Sequence, residues 1–563
     1  KAGIETGFYN SIGSVNNKAF QLAQYNEFNG SPAFIGDDLK NILAVTSQDI
    51  RRVYQTYIKD QPFVLTSFVP YGRTDLVTAD TQPYELEPEI ISAHQIDNKI
   101  VVEQIPTKFD RTVEPSPGPD PELVIPEIWQ EKFDNGLRLF GIKQDELPLV
   151  NFSLTLHGGL LLDDPEKIGV ANLMSDIMME GTATKTPLEL EEAIDDLGSN
   201  ISMFTSRESI VLQANCLASK FAETFALAEE ILLEPRWDEA EFERIKLETI
   251  EVINRQEARP DRIAGNVFNK LICGPGNIRG NSTYGTPATL AEITIADLKN
   301  YYAANFSPSV AYITMTGAIA AEKAIATVKS LAARWTAQDV AFPQEVPPLK
   351  PERGQVYFVD VPGARQSEIR IGYVALAATD PDYYPANVMN YALGGSFNGI
   401  VNMILREEKG YTYGARTGFS GTTYPGAFSA YAGVQSDATL ESVQIFRAEM
   451  EKYRQPIAES SLAFTKAALV KSNARRFETL AALMGMLNQI AAYDFPHDYW
   501  KDREQVIRNM TIAEHTALAQ KYIDPDRMIY LVVGDAATQL EPLKDLGFGN
   551  PVLLDKTGNI AQQ

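Results

Sequence analysis

The segment GVANLMSDIMMEGT, residues 169–182, carries three polar side chains at a spacing that suits a metal site. Its apolar residues recur at i, i+3, i+4, i+7 and i+8, which predicts a helix with one buried face. Asn172, Ser175 and Asp176 recur at i, i+3 and i+4 on another face, so they can meet at one point. Their chemistry does not match this geometry, because only Asp176 has the charge to bind a cation with any strength.

A second candidate lies in the stretch YALGGSFNGIVNMILREEKGYTYGARTGF, where an arginine and a tyrosine flank a predicted turn. Gly394 and Gly395 are expected to end one helix, and Gly410 suits the C-terminal cap of the next. We expect Arg406 and Tyr413 to lie on either side of this corner and to converge, offering a fixed cation and an O–H donor. The alternative is that Arg406 pairs with a neighbouring Glu and that Tyr413 fills a half-buried strand position.

The other residues with metal-binding chemistry are scattered. No histidine has another histidine three or four positions later, which favours surface or packing roles for all four, His94, His157, His497 and His515. Cys216 and Cys273 are too few for a disulfide framework or a metal cluster, and we expect both to be buried.

Bulk composition excludes some functions. The 563 residues include 50 Lys and Arg against 74 Asp and Glu, and a net charge of −24 argues against nucleic acid as a partner. The acidic surface favours solubility, or alternatively cationic peptides. No apolar run reaches the roughly 18 residues of a membrane span, and the first residues lack a Met and a signal-type stretch, so we expect a processed product or a fragment.

Three segments share one layout, in which a Thr and an acidic residue three positions later begin an amphipathic helix. The Thr is an N-cap candidate, and the acidic residue suits the first turn of the helix. We expect each helix to lead into a strand. The three pairs are Thr46 with Asp49, Thr294 with Asp297, and Thr511 with Glu514.

This repetition, with the mixture of strands and long helices, predicts α+β modules in which helices pack on one face of a mostly antiparallel sheet. Two of the modules are expected to be complete. The predicted organisation is a remnant of a preceding module at 1–70, a Pro-rich linker at 71–121, modules at 122–345 and 350–548, and a tail at 549–563.

The run LTLHGGLLLDDPEKIGVANLMSDIMMEGT resembles the pitrilysin/insulinase family of zinc peptidases, whose helix carries H-x-x-E-H and closes in G-T. Asn172, Ser175 and Asp176 stand at motif positions, and Glu251 stands near the family's last zinc ligand, although Glu248 is close enough to compete. The resemblance therefore implies a degenerate site with no metal in this chain. It places the zinc in an N-terminal catalytic half, either on the same polypeptide or on a partner subunit, that this sequence does not include.

The run from Leu405 to Tyr413 resembles the family's LREEKG-x-x-Y segment. By this resemblance Arg406 and Tyr413 hold the substrate at that distant zinc, and a loop at Gly394, Gly395 and Ser396 lies near bound peptide. The expected function is the non-catalytic half of a zinc endopeptidase that encloses peptides, inactive alone and located in the bacterial periplasm. The alternative is a structural or assembly subunit of the same fold.

Overall fold

The computed structural model describes residues 1–79, 108, 110, 112–113, 116 and 118–561. Its contacts divide the chain into two units, one formed by residues 1–39 with 120–563 and the other by residues 40–119. Much of the predicted linker, including His94, lies outside the described residues.

Twelve strands in the described part of the chain form two six-stranded sheets, ordered β1-β2-β6-β3-β5-β4 and β12-β7-β11-β8-β10-β9. Most neighbours are antiparallel, and the parallel pairs are β2–β6, β7–β11 and β7–β12. The strands are β1 (Ile128–Lys132), β2 (Arg138–Lys143), β3 (Leu149–His157), β4 (Asn200–Thr205), β5 (Ser209–Leu217), β6 (Ala311–Gly317), β7 (Gln355–Asp360), β8 (Gln366–Leu376), β9 (Thr412–Ser420), β10 (Gly426–Gln435), β11 (Ile529–Gly534) and β12 (Val552–Leu554).

These sheets confirm the predicted α+β class with mostly antiparallel sheets. One strand was not anticipated. β12 lies in the segment predicted as a tail, and it pairs in parallel with β7 at the edge of the second sheet.

The helices of the described residues follow the predicted caps. At Thr46, Thr294 and Thr511, the carboxylate three positions later accepts the backbone N–H of the Thr. The helices are α1 (Ala2–Ser11), α2 (Val15–Asn29), α3 (Ile35–Ala44), α4 (Ser47–Tyr57), α5 (Val170–Met178), α6 (Pro187–Asp196), α7 (Phe221–Leu233), α8 (Glu239–Glu257), α9 (Pro260–Cys273), α10 (Pro287–Glu292), α11 (Ile295–Asn305), α12 (Ala321–Arg334), α13 (Tyr383–Asn390), α14 (Ile400–Asn402), α15 (Thr439–Tyr453), α16 (Glu459–Lys471), α17 (Leu480–Tyr493), α18 (Tyr499–Asn509), α19 (Ile512–Tyr522) and α20 (Ala536–Gln539).

Each sheet is covered on one face by helices that are close to it in sequence and on the other by a helix from far along the chain. On the first sheet, Leu483 and Leu487 of α17 pack against Phe140 of β2. On the second sheet, residues of α9 pack against Leu531 of β11. Thus α17 of the second half packs on the first sheet, and α9 of the first half packs on the second sheet. Each covers the sheet face for which the sequence predicted no helices.

The prediction of a strand after α4 is wrong. Residues 61–70 form no strand, and Phe63 and Phe68 are exposed. A strand needs a neighbour to satisfy its backbone groups, and the described residues of that smaller unit contain no other strand. By contrast, α11 leads into β6 and α19 into β11 as predicted.

Across the described ranges, no helix combines the length and the apolar character needed to cross a membrane.

Candidate functional site

The predicted metal positions lie together on α5, but they bind each other. The Asn172 amide donates a hydrogen bond of 2.9 Å to the Asp176 carboxylate. The Ser175 hydroxyl is buried and hydrogen bonds with the hydroxyl of Thr205 on β4. Thr205 in turn donates to the carbonyl oxygen of Ala171 at 2.7 Å. Ser175 thus fixes the motif helix to the first sheet, while Asn172 and Asp176 bond to each other on the helix.

Asp176 lies among acidic neighbours. Burial raises the pKa of its carboxyl to about 6, and Glu180 and Glu248 add to that shift, while the hydrogen bond from Asn172 opposes it. Glu251 is exposed and, among the described residues, has no hydrogen bond or ion pair. The structure therefore brings Glu248, the competing candidate, into electrostatic contact with Asp176.

A cation already compensates these carboxylates. The Arg244 guanidinium lies 2.6 Å from Glu241, 2.6 Å from Glu180 and 2.8 Å from Glu248. The three carboxylates raise the pKa of Arg244 above its ordinary value. Glu248 is therefore neutralised by a side chain of its own helix and is not positioned as a ligand.

These residues do not fit a zinc ion. A catalytic zinc takes three protein ligands, usually imidazole, thiolate or carboxylate, and α5 offers one carboxylate beside an amide and a hydroxyl. Over the described residues, no group of three or more His, Cys, Asp or Glu side chains is arranged to hold a metal. Ser175 is also too weak a base to accept a proton from a metal-bound water.

We expect Asp176→Asn to gain stability relative to the wild type as pH rises. The pKa of Asp176 is raised from 3.8 to about 6, so the folded state holds this proton more tightly than the unfolded state. Wild-type stability therefore falls as the pH rises from about 4 to about 6, and no further stability is lost through this group well above pH 6. Between pH 5.5 and 7.5 the relative gain should be about 1 kcal/mol, measured by urea denaturation. Glu251→Gln, which removes an exposed carboxylate, is the control for the loss of one negative charge. A flat difference for Asp176→Asn would contradict the assigned pKa.

The second candidate region forms the predicted corner. A π-helical turn, Met403–Glu408, continues α14, and Gly410 follows with φ +68°. The backbone N–H groups of Gly410 and Tyr411 donate back to the carbonyl oxygens of Arg406 and Leu405 at 3.2 and 2.9 Å. This helix end needs a left-handed residue, which glycine supplies without strain, and the chain then enters β9.

Arg406 and Tyr413 lie on either side of that corner, but no contact joins them in the described structure. The Arg406 guanidinium lies 4.7 Å from the centre of the Phe397 ring and pairs with Glu407 at 2.5 Å. Tyr413 is 92% exposed. The alternative from the sequence is therefore found for Arg406, which pairs with a neighbouring Glu, but not for Tyr413, which is not half-buried.

The glycine-rich loop begins within the first of the two π-helical turns, which spans Tyr391–Gly395, and continues toward α14. Gly394 is buried, and a Cβ there would lie 2.6 Å from the backbone nitrogen of Thr417. Gly395 is exposed, and the Ser396 hydroxyl is buried with no hydrogen-bond partner among the described residues. Gly394 thus allows close packing onto β9, while Gly395 lies at the surface.

Two buried asparagines that the sequence pattern does not single out hold this loop. The Asn402 side chain donates to the carbonyl oxygen of Phe397 at 2.7 Å and accepts from the N–H of Ala415 at 2.9 Å. Asn390 and Thr417 exchange two hydrogen bonds in the same way. The sequence feature that could have predicted this role is an asparagine within each of the two helical segments. A buried asparagine needs specific hydrogen-bond partners.

We expect Asn402→Ala to destabilise the protein by about 1–3 kcal/mol. The change leaves the N–H of Ala415 and the carbonyl oxygen of Phe397 without their partner. Urea denaturation measures the loss. Asn398→Ala is the control, because Asn398 is exposed in the same loop. Equal stability of the two variants would show that Asn402 does not anchor the loop.

The described histidines and the cysteines are structural. His515 is buried, and its Nε2 forms a hydrogen bond of 3.0 Å with the Tyr453 hydroxyl. Burial lowers the pKa of His515 to about 4. His157 stacks on Phe342 with ring centres 4.7 Å apart, and burial lowers its pKa. His497 contacts a glutamine at 3.3 Å, and both cysteines are buried thiols.

Two family models match parts of the chain. Residues 142–272 match the model described as "Insulinase (Peptidase family M16)", and residues 292–469 match "Peptidase M16 inactive domain". The first match contains α5 with its substituted motif, and the second contains the Arg406 corner.

Curated relatives are similar over much of their length. The chain is 24% identical over 299 residues to the "Uncharacterized zinc protease YmxG" of Bacillus subtilis, covering 53% of this chain and 72% of that protein. It is 19% identical over 396 residues to the "Non-peptidase homolog YmxG" of Helicobacter pylori, covering 69% and 90%.

Solved structures share the fold. A peptidase M16 inactive domain from Pseudomonas fluorescens gives a TM-score of 0.68 at 21% identity, covering 73% of this chain and 99% of that one. The first half of the periplasmic protease PqqL from Escherichia coli gives 0.59 at 15% identity, covering 76% and 98%. At these identities the similarity establishes the fold alone.

Proposed function

Because this chain belongs to the insulinase family of peptidases, M16, we propose that it is the non-catalytic half of a zinc endopeptidase. In this proposal it encloses peptide substrates and supplies Arg406 and Tyr413 to a zinc site outside this chain. The observation that carries the proposal is the contrast between the two candidate regions. The α5 positions are closed on each other, while the corner presents a cation and a 92% exposed tyrosine.

Arg406 and Tyr413 have the chemistry to stabilise an oxyanion. Peptide hydrolysis places negative charge on the scissile carbonyl oxygen, and fixed donors aimed at that atom lower the barrier. The Phe397 ring supports the Arg406 guanidinium from one side. The substrate would have to compete with Glu407 for one of the N–H donors of Arg406. Tyr413 adds one neutral O–H donor from the start of β9.

The edge of the second sheet supports peptide binding. β9 is the last strand in its sheet, so one side of its backbone is not paired within that sheet. A cavity of about 700 Å³ lies at the end of the sheet where β9 begins, and Gln366 of β8 and Gln435 of β10 line it together with Tyr413. It is separate from the unpaired edge of β9, which is the part of the strand open to another chain. An extended peptide can add to such an edge through main-chain hydrogen bonds. The loop at Gly394, Gly395 and Ser396 is proposed to contact the same peptide.

The test compares the assembled enzyme with this chain alone. The chain is recovered from its native cells with its associated catalytic half, and zinc content and cleavage of an extended fluorogenic peptide are measured. We expect zinc and cleavage in the assembly, and neither in the separated chain. Zinc bound by the purified chain with unaided cleavage would overturn the proposal.

The second candidate is a non-proteolytic structural or assembly subunit. The substituted motif favours it, as does the similarity to the H. pylori protein named a non-peptidase homolog. The same recovery experiment separates the two functions, because a structural subunit would be isolated in an assembly without zinc-dependent peptide cleavage.

We also propose a location in the bacterial periplasm. The support is the shared fold with the first half of a periplasmic protease. Cell fractionation tests it, and recovery of the chain with cytoplasmic markers would contradict it.

A further inference from the structure

Four arginines line one cavity of about 480 Å³ in this strongly acidic chain. We define the arginine cavity by Arg207 in the β4–β5 turn, Arg255 near the end of α8, and Arg259 and Arg262 at the start of α9. Neutral donors such as Asn266 and Ser282 complete its wall, and no carboxylate side chain of the described residues lines it.

The Arg207 side chain is fixed by a hydrogen bond from Nε, which leaves its terminal N–H groups available to a ligand. Its Nε donates to the carbonyl oxygen of Arg279 at 3.0 Å. In the described part of the chain, neither Arg207 nor Arg255 forms an ion pair. Burial, together with the charge of Arg279, lowers the pKa of Arg207, so its charge is poorly solvated. The nearby Glu208 opposes this shift only in part, because it lies 3.4 Å from Arg279 and pairs with that residue.

Arg259 and Arg262 share one carboxylate. Asp261 lies 2.9 Å from Arg259 and 3.6 Å from Arg262, and both arginine side chains are more than half exposed. Asp261 accepts from Nε and Nη2 of Arg259 at 3.1 and 2.9 Å, so that guanidinium is partly occupied. The Arg262 guanidinium has only the weaker 3.6 Å contact, and a ligand can compete for it. The N-cap position of α9 also lacks a side-chain cap, and the positive end of the helix dipole adds to the local potential.

We propose that the arginine cavity binds a small oxyanion with several negative charges, carried by phosphoryl or carboxylate groups. Among the described residues, the carboxylates of Asp261 and Glu208 lie beside the four guanidinium groups, and each is already paired with an arginine. A ligand with a single negative charge would therefore leave most of the excess positive charge in place. Guanidinium groups bind phosphate and carboxylate oxygens through paired N–H donors, which suits this ligand class. The proposal is independent of the peptidase function.

The site lies on the same side of α8 as the substituted motif. Glu248 and Arg255 are seven positions apart, two helical turns, and so share one face of the helix. A bound anion would thus lie about two turns of α8 away from Arg244 and the three carboxylates that pair with it.

The test is isothermal titration of the full chain with pyrophosphate at fixed ionic strength, with sodium chloride as the reference titration. We expect saturable binding of one pyrophosphate, weakened by added salt. The double variant Arg255→Gln with Arg262→Gln should weaken binding at least about tenfold, since it removes two charge-assisted contacts. Both side chains are exposed, and equal urea midpoints for variant and wild type verify folding.

Arg353→Gln is the matched control, because Arg353 is exposed outside the cavity, and it should bind pyrophosphate like the wild type. Titration with citrate distinguishes the two sources of the chemistry: tighter pyrophosphate binding identifies phosphoryl groups, and tighter citrate binding identifies carboxylates. The proposal is overturned if neither probe binds above chloride, or if the double variant binds as tightly as the wild type.

Discussion

In the assembled zinc enzyme, Arg406→Ala and Tyr413→Phe are each expected to lower kcat for peptide hydrolysis by about 10²–10³-fold. Each change removes one donor that acts on charge developing at the carbonyl oxygen. KM should change less than kcat, because the contact strengthens in the transition state. Steady-state kinetics on one extended peptide, with equal zinc content in all preparations, measures the effect.

Two variants control for packing and for loss of a hydroxyl. Arg416 also lies near the Phe397 ring, at 5.8 Å, so Arg416→Ala tests whether lost support of that ring explains the result. Tyr431 lies on the adjacent strand β10, so Tyr431→Phe removes a comparable hydroxyl. Both controls should keep turnover within a fewfold of the wild type. Unchanged turnover in Arg406→Ala and in Tyr413→Phe would exclude their proposed role.

Arg279→Ala is expected to lower the free energy of unfolding by about 3–5 kcal/mol, the cost of breaking a buried ion pair. Arg279 lies 3.4 Å from Glu208, donates to the carbonyl oxygen of Pro425 at 3.0 Å, and stacks on the Tyr424 ring at 4.8 Å. The Arg279 side chain is only 12% exposed, so its loss leaves the largely buried Glu208 carboxylate with the Thr422 hydroxyl as a hydrogen-bond donor but without a cation. The residue joins the region after α9 to the β9–β10 turn.

Urea denaturation followed by circular dichroism measures this loss. Arg353→Ala is the comparison, since it removes an exposed arginine and should change stability by less than about 1 kcal/mol. A similarly small effect for Arg279→Ala would mean that the contacts around Tyr424 do not hold the two sheets together.

Local sequence predicted the features that depend on neighbours along the chain. The caps at Thr46, Thr294 and Thr511 formed as expected because a cap requires only the side chain three positions away. Gly410 was identified as a helix end for the same reason.

Local sequence did not predict the features that depend on contacts between residues far apart in the chain. The strand expected at residues 61–70 did not form, because alternation of residue types does not supply a neighbouring strand. Phe397 and Asn402 were overlooked, since their contacts with Arg406 and Ala415 depend on the path of the loop.

By itself the sequence determined the chemistry of α5: the amide, the hydroxyl and the carboxyl at the motif positions include only one strong zinc ligand, because ligand strength belongs to the side chain. The tertiary structure alone decided which distant groups surround them. Burial of Phe242 and Ile245 sets the rotation of α8 and so brings Glu248 rather than Glu251 toward Asp176. Helices α9 and α17 and the arginine cavity likewise join residues far apart in the chain, and their positions follow from packing of the whole core rather than from local pattern.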